Sequence, residues 1–474
     1  MKKTGLIITA VFLVTACTYK NPSITITVDT STKYQYVRGF GAMDVGWGNF
    51  PLTTPEDIEL MFDPESGLGL NILRIMIMPH NTDIDLTMEQ VVSRARPHYY
   101  ENVKIVNNYG GYVLASPWSP PKEWKNNNNT KGDGKLLPEF YKDYANYLKA
   151  FARNMYENGA PIYAISIQNE PDYKVDYDGC LWTGEEMRDF FKLTGRFTEG
   201  VPGFGGGKEM PFVLTMNGEA YSHPNINNAA LDDPESRKVI DIIGRHTYGG
   251  RQVRYINALD HPTDPKEVWM TEHNINSGKE SLYAFDSTWN FVWKLLNDID
   301  LSIRLNDENT FIWWAGKRFY SFIGDGQYNT AAGKIMPRGY AISHYARFAN
   351  ETWRVAVDVQ NTSANEENMS NRKVINNSSF NIDSTAAKAT AFVSPDRNTI
   401  SLVFFNPTAI TGEGGVDMGT IKIQLPEDFE IREAAAMRSK EGKYAQWEKV
   451  KITGKNTALV NLPRGNILSV RFTQ

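Results

Sequence analysis

The chain has 474 residues, 41% hydrophobic and 22% charged, which is apolar material for a large buried core and, at this length, for two or three domains. A net charge of -5 with the two signs intermixed gives no basic field for nucleic acid and no polybasic block for anionic lipid. The expected partner is therefore neutral or weakly charged, and 11 tryptophans supply flat faces suited to the apolar faces of sugar rings.

Lys2 and Lys3 precede an apolar run, Leu6 to Val14, that is too short to span a bilayer and reads as a secretory signal over residues 1–16. Its end, Val14-Thr15-Ala16-Cys17, resembles a bacterial lipobox. That implies cleavage before Cys17, acylation of its thiol and an exported lipoprotein anchored in the outer membrane, on a face left open. The other cysteine is Cys180, so a lipidated Cys17 leaves no intramolecular disulfide; Cys180 reads as a packed thiol. Residues 17–23 form a tether. Ile24-Thr25-Ile26-Thr27-Val28 then alternates apolar and polar residues like a half-exposed strand, opening an N-terminal strand segment over 24–37.

From residue 38 the pattern changes to short apolar runs: Gly39 to Met43, Asn71 to Met78, Tyr112 to Ser116, Ile162 to Gln168, Phe212 to Met216, Val239 to Arg245, Glu267 to Thr271 and Thr310 to Trp314. Amphipathic stretches such as Glu139 to Asn158 and Ser287 to Asn297 lie between them. Strands that are apolar throughout are buried on both faces, and helices between them cover a parallel sheet. Eight such units predict a (β/α)8 barrel over 38–350. An open, doubly wound sheet would normally carry a glycine-rich phosphate turn. The candidate, Gly203 to Gly207, fails: Pro202 and Glu209 break the Walker pattern, Lys208 stands where the dinucleotide fingerprint has its last glycine, and the segment is predicted to be a loop. Beyond Trp353 helical spacing gives way to an Asn/Ser-rich stretch, Asn361 to Ser379, and then to alternating segments at Lys388 to Val393, Ile400 to Phe405, Thr420 to Leu425 and Ile467 to Phe472. These predict a β-sandwich over 351–474. The strand at Ile24 to Val28 has no partner before the barrel and is expected to pair with this domain, making one rigid unit. The fold class is thus α/β: a (β/α)8 TIM barrel with an all-β sandwich side domain.

Two glutamates end apolar runs, Glu170 in Ile165-Ser166-Ile167-Gln168-Asn169-Glu170-Pro171 and Glu272 in Val268-Trp269-Met270-Thr271-Glu272. By count they close strands four and seven, which face each other across the barrel mouth. A carboxyl group there can reach substrate and have its pKa tuned. Two can divide acid and nucleophile roles, the chemistry that cuts glycosidic bonds. Asn169 can hydrogen-bond a sugar 2-hydroxyl and strengthen that contact in the transition state, which assigns Glu170 as acid/base and Glu272 as nucleophile. Retention of configuration is expected, with the carboxyls about 5 to 5.5 Å apart. The seven histidines, His80, His98, His223, His246, His261, His273 and His344, show no His-Glu-x-x-His or similar spacing, so no metal is expected and most read as structural. Two carboxylates and water suffice, and no cofactor is implied.

Further motifs are Arg38-Gly39-Phe40-Gly41-Ala42-Met43, Ile72-Leu73-Arg74-Ile75, Ala115-Ser116-Pro117-Trp118-Ser119-Pro120-Pro121, Tyr163 to Tyr173 around Asn169-Glu170-Pro171, His246-Thr247-Tyr248-Gly249, Trp269-Met270-Thr271-Glu272 and Arg338-Gly339-Tyr340. On these the chain resembles, almost end to end, glycoside hydrolase family 30, a retaining clan A family of (β/α)8 barrels with an attached β-sandwich. The resemblance implies the same roles for Glu170 and Glu272, with Tyr248 donating to the nucleophile and holding it ionised. Within the family the chain is most similar to the bacterial glucuronoxylanases of subfamily 8, which cut β-1,4-xylan where a xylose carries a glucuronic acid branch. They read that carboxylate with an Arg-x-Tyr just after strand eight. The segment Trp313-Trp314-Ala315-Gly316-Lys317-Arg318-Phe319-Tyr320 offers Arg318 and Tyr320 there, with Trp313 beside them as a substrate contact. A guanidinium fork binds a carboxylate bidentately, whereas neutral xylose gives it nothing to pair with. Trp47 falls where those enzymes have an aromatic wall beside the same subsite, and Trp118 where the scissile sugar is lined.

The chain departs from those xylanases after the nucleophile, where His273-Asn274-Ile275-Asn276 replaces tyrosines that help bind the branch, and in a longer Ser321 to Ile335 loop. Unsubstituted or arabinose-bearing xylan, a β-1,6-linked glucan or galactan, and a glucosylceramide-type β-glucoside therefore stay open as substrates. A non-catalytic surface glycan-binding lipoprotein would share the signal, tryptophans and sandwich, but would have no reason to keep both carboxylates. The expectation is a monomer acting on xylan, without nucleic acid, that touches a membrane only through lipid on Cys17.

Overall fold

The structure is a computed structural model that describes residues 22, 24–45, 49–79, 97–248, 254–361, 369–370, 387–407 and 418–474. Cys17, the signal and tether segments before residue 22, and Trp47 lie outside the described residues. Among the described residues no helix is long and apolar enough to cross a membrane.

Eight parallel strands close a barrel in chain order: Gly39–Asp44, Ile72–Ile77, Tyr112–Pro117, Ala164–Ser166, Leu214–Ala220, Ile242–His246, Glu267–His273 and Thr310–Trp313, numbered here as strands one to eight. Closure is between strands eight and one, with Thr310 opposite Gly39 and Trp313 opposite Ala42. Each strand coincides with one of the apolar runs, because both its faces are buried. In strand two Ile72 belongs to an interior cluster with Leu114, Ala164, Met216, Ile242, Trp269 and Ile312. Its neighbours Leu73 and Ile75 belong instead to the cluster that includes Val103 and Val106 of the helix Pro97–Asn108. Alternation along a strand therefore puts Arg74 on the same inner face as Ile72, one layer nearer the C-terminal mouth. The outer helices show the complementary period. Tyr141–Glu157 buries Tyr144, Leu148, Phe151, Ala152 and Met155 at helical spacing against the barrel.

The segment Gly203 to Gly207, read as a loop, is half of a small hairpin in which Gly203–Gly205 pairs with Lys208–Met210. Gly206 and Gly207 turn it at φ +61° and +73°, the left-handed pair that a two-residue hairpin turn needs. Two consecutive glycines encode a tight turn here rather than an irregular one.

The second domain is an 11-stranded sheet with continuous hydrogen bonding. Ile24–Val37 runs through its middle, antiparallel to Thr352–Asn361 and parallel to Thr420–Gln424. Ile421 and Val460 from one half of the sheet share a core with Leu402 and Val470 from the other, so the sheet curls over itself as a sandwich. Phe392, Val403, Phe405, Met437 and Ile467 of this domain join the barrel's core cluster. Polar ties cross the same junction: the Arg354 guanidinium pairs with Asp307, and Gln35, whose Oε1 accepts from Arg354 within the sheet (2.8 Å), donates through Nε2 to the Ile303 carbonyl (2.5 Å).

Candidate active site

The bend after strand four carries Glu170. Its backbone lies at φ +48°, a left-handed conformation that costs an ordinary residue about 1–2 kcal/mol. Three backbone hydrogen bonds secure the bend: Asn169 N–H to the Pro117 carbonyl (2.9 Å), Glu170 N–H to the Glu219 carbonyl (3.0 Å) and Glu219 N–H to the Gln168 carbonyl (2.9 Å). They pin the bend to its neighbours, strands three and five, and turn the Glu170 carboxyl into the mouth, where it is 5% exposed. Glu272, 7% exposed, comes from the last turn of strand seven on the opposite side.

Between them lies a buried network centred on Arg74. Its Nη1 donates to Glu272 Oε2 (2.6 Å), Nη2 to Asn169 Oδ1 (2.7 Å) and Nε to Ser116 Oγ (3.1 Å). Nη2 also stands 2.9 Å from Glu219 Oε2 as an ion pair. Trp118 covers the guanidinium at 4.9 Å. With its oxygen held by Arg74, the Asn169 amide has its NH2 group left to donate elsewhere. His246, at the end of strand six, places Nδ1 3.1 Å from Glu170 Oε1, and Nε2 3.9 and 4.0 Å from Glu219 Oε2 and Glu272 Oε2. Room for Glu219 comes from Gly244, where any Cβ would stand 2.6 Å from the glutamate Cγ.

Charge follows from this packing. Burial lowers the His246 pKa, but Glu272, Glu170 and Glu219 outweigh it and raise it to about 9, so the ring is an imidazolium at neutral pH. Burial raises the Glu219 carboxyl, yet Arg74, His246 and Ser116 hold it down to about 2. Glu272 is raised by burial and by the like charge of Glu170, against His246 and Arg74. Two cations thus face three carboxyls, one of which is firmly ionised. The site is neutral when Glu170 and Glu272 share a single proton.

Tyr248 donates its hydroxyl to Glu272 Oε1 (3.2 Å) and itself accepts from Asn274 Nδ2 (3.1 Å). Burial and the nearby carboxylates keep that phenol protonated well above the usual range. The backbone therefore brings together Glu170, Glu272, Asn169, Tyr248 and Trp118 from the sequence reading. Tyr320 is buried beside Phe319, its pKa raised by burial and by the charge of Glu272. Arg318 sits farther out: it donates to the Asn49 carbonyl (2.5 Å), lies 4.8 Å over Phe50 and stands 3.7 Å from Asp325 Oδ2.

Trp313 is a correction. It is fully buried, packed 5.8 Å from Phe322 and beneath Arg338, and has no surface to offer a substrate. One step along a strand reverses the face, and Trp313 points outward while Ile312 points into the barrel. The partly exposed aromatic is Trp314, 5.9 Å from Trp118 and 5.4 Å from Phe50.

Four residues of the site were missed. Glu219 ends strand five as Glu170 and Glu272 end theirs, but the apolar run stops at Met216 and Asn217-Gly218 separate it from the glutamate. His246 ends strand six two residues before Tyr248, and Arg74 is a charge inside an apolar run; both were visible as exceptions to their surroundings. Tyr177, whose hydroxyl donates to Glu170 Oε2 (2.7 Å), lies in a loop and carried no signal. Donor atoms of Glu170, His246 and Glu272 lie within 4.8 Å of one another, a spacing that a metal ion could bridge. No local spacing announces this group, because its members come from strands four, six and seven. Its charge is already met by the Arg74 guanidinium and by the proton on His246, which is hydrogen-bonded to Glu170 and 4.0 Å from Glu272.

The barrel with paired carboxyls at strand ends four and seven defines a glycoside hydrolase of the (β/α)8 type. A family model described as the glycosyl hydrolase family 30 TIM-barrel domain matches residues 83–303. Glucuronoxylanase XynC of Bacillus subtilis (strain 168) is 28% identical over 350 residues, covering 72% of this chain and 73% of the relative. Putative glucosylceramidase 2 of Caenorhabditis elegans is 24% identical over 363 residues, covering 69% and 70%. Among solved structures, the glycoside hydrolase family 30 subfamily 8 xylanase Xyn30A from Clostridium acetobutylicum superposes with a TM-score of 0.73 at 23% identity, covering 95% of this chain and all of that one, a likeness of fold. Over its barrel the chain is similar to glycoside hydrolase family 30, and over most of its length to a glucuronoxylanase.

Proposed function

We propose that the chain is an exported, retaining endo-β-1,4-xylanase acting on glucuronoxylan, with Glu170 as acid/base and Glu272 as nucleophile. The observation that carries the mechanism is that carboxylate oxygens of the two residues lie within 4.8 Å of each other. Carboxyls about 5 to 5.5 Å apart leave no space for a water between carboxylate and sugar, whereas inversion needs about 6.5 to 9.5 Å. Glu272 attacks the anomeric carbon while Glu170 protonates the leaving oxygen; water then releases the sugar from Glu272, with Glu170 as base. Arg74 and Tyr248 hold the nucleophile, one through each oxygen. The free NH2 of Asn169 is placed to meet the sugar 2-hydroxyl. Similarity to a glucuronoxylanase over 72% of the chain supports the substrate.

The contacts of Arg318 favour a second reading. Asp325 already compensates part of its charge, which fits an unbranched or otherwise neutral β-linked glycan better than an acidic one. A product profile on glucuronoxylan, linear xylan and β-1,6-glucan decides between them, with NMR of the first-formed reducing end. The expected result is turnover of glucuronoxylan with an initial β anomer, and loss of turnover with retained binding in Glu272→Gln. An initial α anomer would refute the double displacement. Preferred cleavage of β-1,6-glucan would refute the xylan assignment.

A further inference from the structure

We infer that Tyr177 is a positioning residue for Glu170, marking Oε2 as the oxygen that gives up the acid proton and takes it back. The inference rests on Glu170 being the acid/base. Its ground is the asymmetry of the two carboxyl oxygens. Oε1 faces His246 Nδ1 at 3.1 Å, and Oε2 faces the Tyr177 hydroxyl at 2.7 Å. An imidazolium can only donate, so a proton on Oε1 would meet another proton. A hydroxyl can donate or accept, so a proton on Oε2 finds a partner able to reverse.

The two half-reactions then balance at one atom. In the first, the proton leaves Oε2 for the glycosidic oxygen, which also takes the electron pair of the breaking C–O bond, while Glu272 bonds to the anomeric carbon. Negative charge appears on Glu170, and Tyr177 turns to donate into it. In the second, water passes a proton to Oε2 as its oxygen bonds to the anomeric carbon and the bond to Glu272 breaks. Tyr177 turns back to accept.

Tyr177 is held for this task by loops that no catalytic motif contains. The loop after strand three is laced to the loop after strand four by hydrogen bonds from Gly132 N–H to the Tyr177 carbonyl (3.0 Å), Gly179 N–H to the Thr130 carbonyl (3.0 Å) and Leu181 N–H to the Gly134 carbonyl (3.1 Å). Lys125, 3% exposed, fastens both sides of the lacing, donating from Nζ to the carbonyls of Gly179 (2.5 Å) and Thr130 (3.2 Å). A buried ammonium is costly unless its hydrogen bonds are met, and these two bonds fasten the Thr130–Gly179 pair, next to the one that holds Tyr177.

The test is Tyr177→Phe, which keeps the ring and removes the hydroxyl. The readout is kcat/KM, which reports the first bond cleavage, on the β-glycan the wild type degrades and on a dinitrophenyl glycoside of the same sugar, whose leaving group needs no proton. Loss of well-placed acid catalysis costs roughly 10²–10⁴-fold when complete, so a misplaced proton should cost roughly 10-fold or more on the glycan and far less on the aryl substrate. The alkaline limb of the glycan pH profile should also move to higher pH, since the ionised carboxylate has lost a donor. Equal loss on both substrates, no loss on either, or an unmoved alkaline limb would overturn the inference. Glu170→Gln, with aryl turnover restored by azide, checks the acid/base reading separately, so the two can fail independently.

Discussion

Arg318 spends one of its five donors on the Asn49 carbonyl and rests on the face of Phe50, so its guanidinium is oriented before any substrate arrives. Orientation in advance favours a bidentate contact with a planar carboxylate; the proximity of Asp325 works against it. The two effects are separable by substrate. If a glucuronic acid branch is read here, Arg318→Ala should lower kcat/KM on glucuronoxylan by about 10- to 100-fold relative to debranched xylan, the worth of about 1.5–3 kcal/mol for a charged hydrogen bond. Parallel loss on both polymers would assign Arg318 to holding the Asn49 loop. Sequence and structure also part company at single residues. Trp313 and Trp314 are indistinguishable by type, and only the phase of strand eight shows which one is buried.

The bend that carries Glu170 extends into Pro171-Asp172-Tyr173, and Asp172 joins it to the loop after strand five. Its carboxylate accepts from the backbone N–H groups of Tyr221 (2.6 Å), Ser222 (2.9 Å) and His223 (2.7 Å). Above this tie Tyr173 stacks on Tyr221 at 4.0 Å, and Tyr221 on Tyr248 at 5.3 Å, so the donor to Glu272 inherits its position from the loop. Asp172→Ala should cost about 1–2 kcal/mol, because water can replace part of what is lost at these partly exposed amides. Hydrogen exchange should rise at 221–223 and kcat should fall more than KM rises. Unchanged exchange there would mean the loop is held by its aromatic stack alone. The eight strands were legible because burial on both faces leaves an unbroken apolar run. The lacing of the loops after strands three and four was not, because polar backbone pairing between Thr130 and Leu181 requires no particular side chains.

The junction between barrel and sandwich buries His344, whose Nδ1 lies 2.8 Å from Ser469 Oγ and Nε2 2.9 Å from Ser439 Oγ. Burial, with Arg438 and Arg347 nearby, pushes its pKa from 6.5 down to about 3, so the folded protein holds it neutral. Stability from this site is complete above pH 6.5 and is lost as pH falls toward 3. His246 has the opposite sign: raised to about 9, it contributes fully below 6.5 and its contribution is lost as pH rises through 9. The two windows meet near pH 6.5, where thermal stability should be greatest. His344→Gln should flatten the acid side of a Tm-versus-pH series while leaving the alkaline side in place. An unchanged acid side would show that other groups drive acid unfolding.

Read alone, the sequence determined the barrel, the attached β domain and the two carboxyls at strand ends four and seven. These features are written in local periodicity and in where apolar runs stop. Tertiary structure decided the rest of the site. Arg74, Glu219 and His246 come from strands two, five and six, Tyr177 comes from a loop, and their roles exist only as distances among groups remote in the chain. The charge on Glu272 is governed by groups drawn from across the barrel, and no local pattern specifies such a sum.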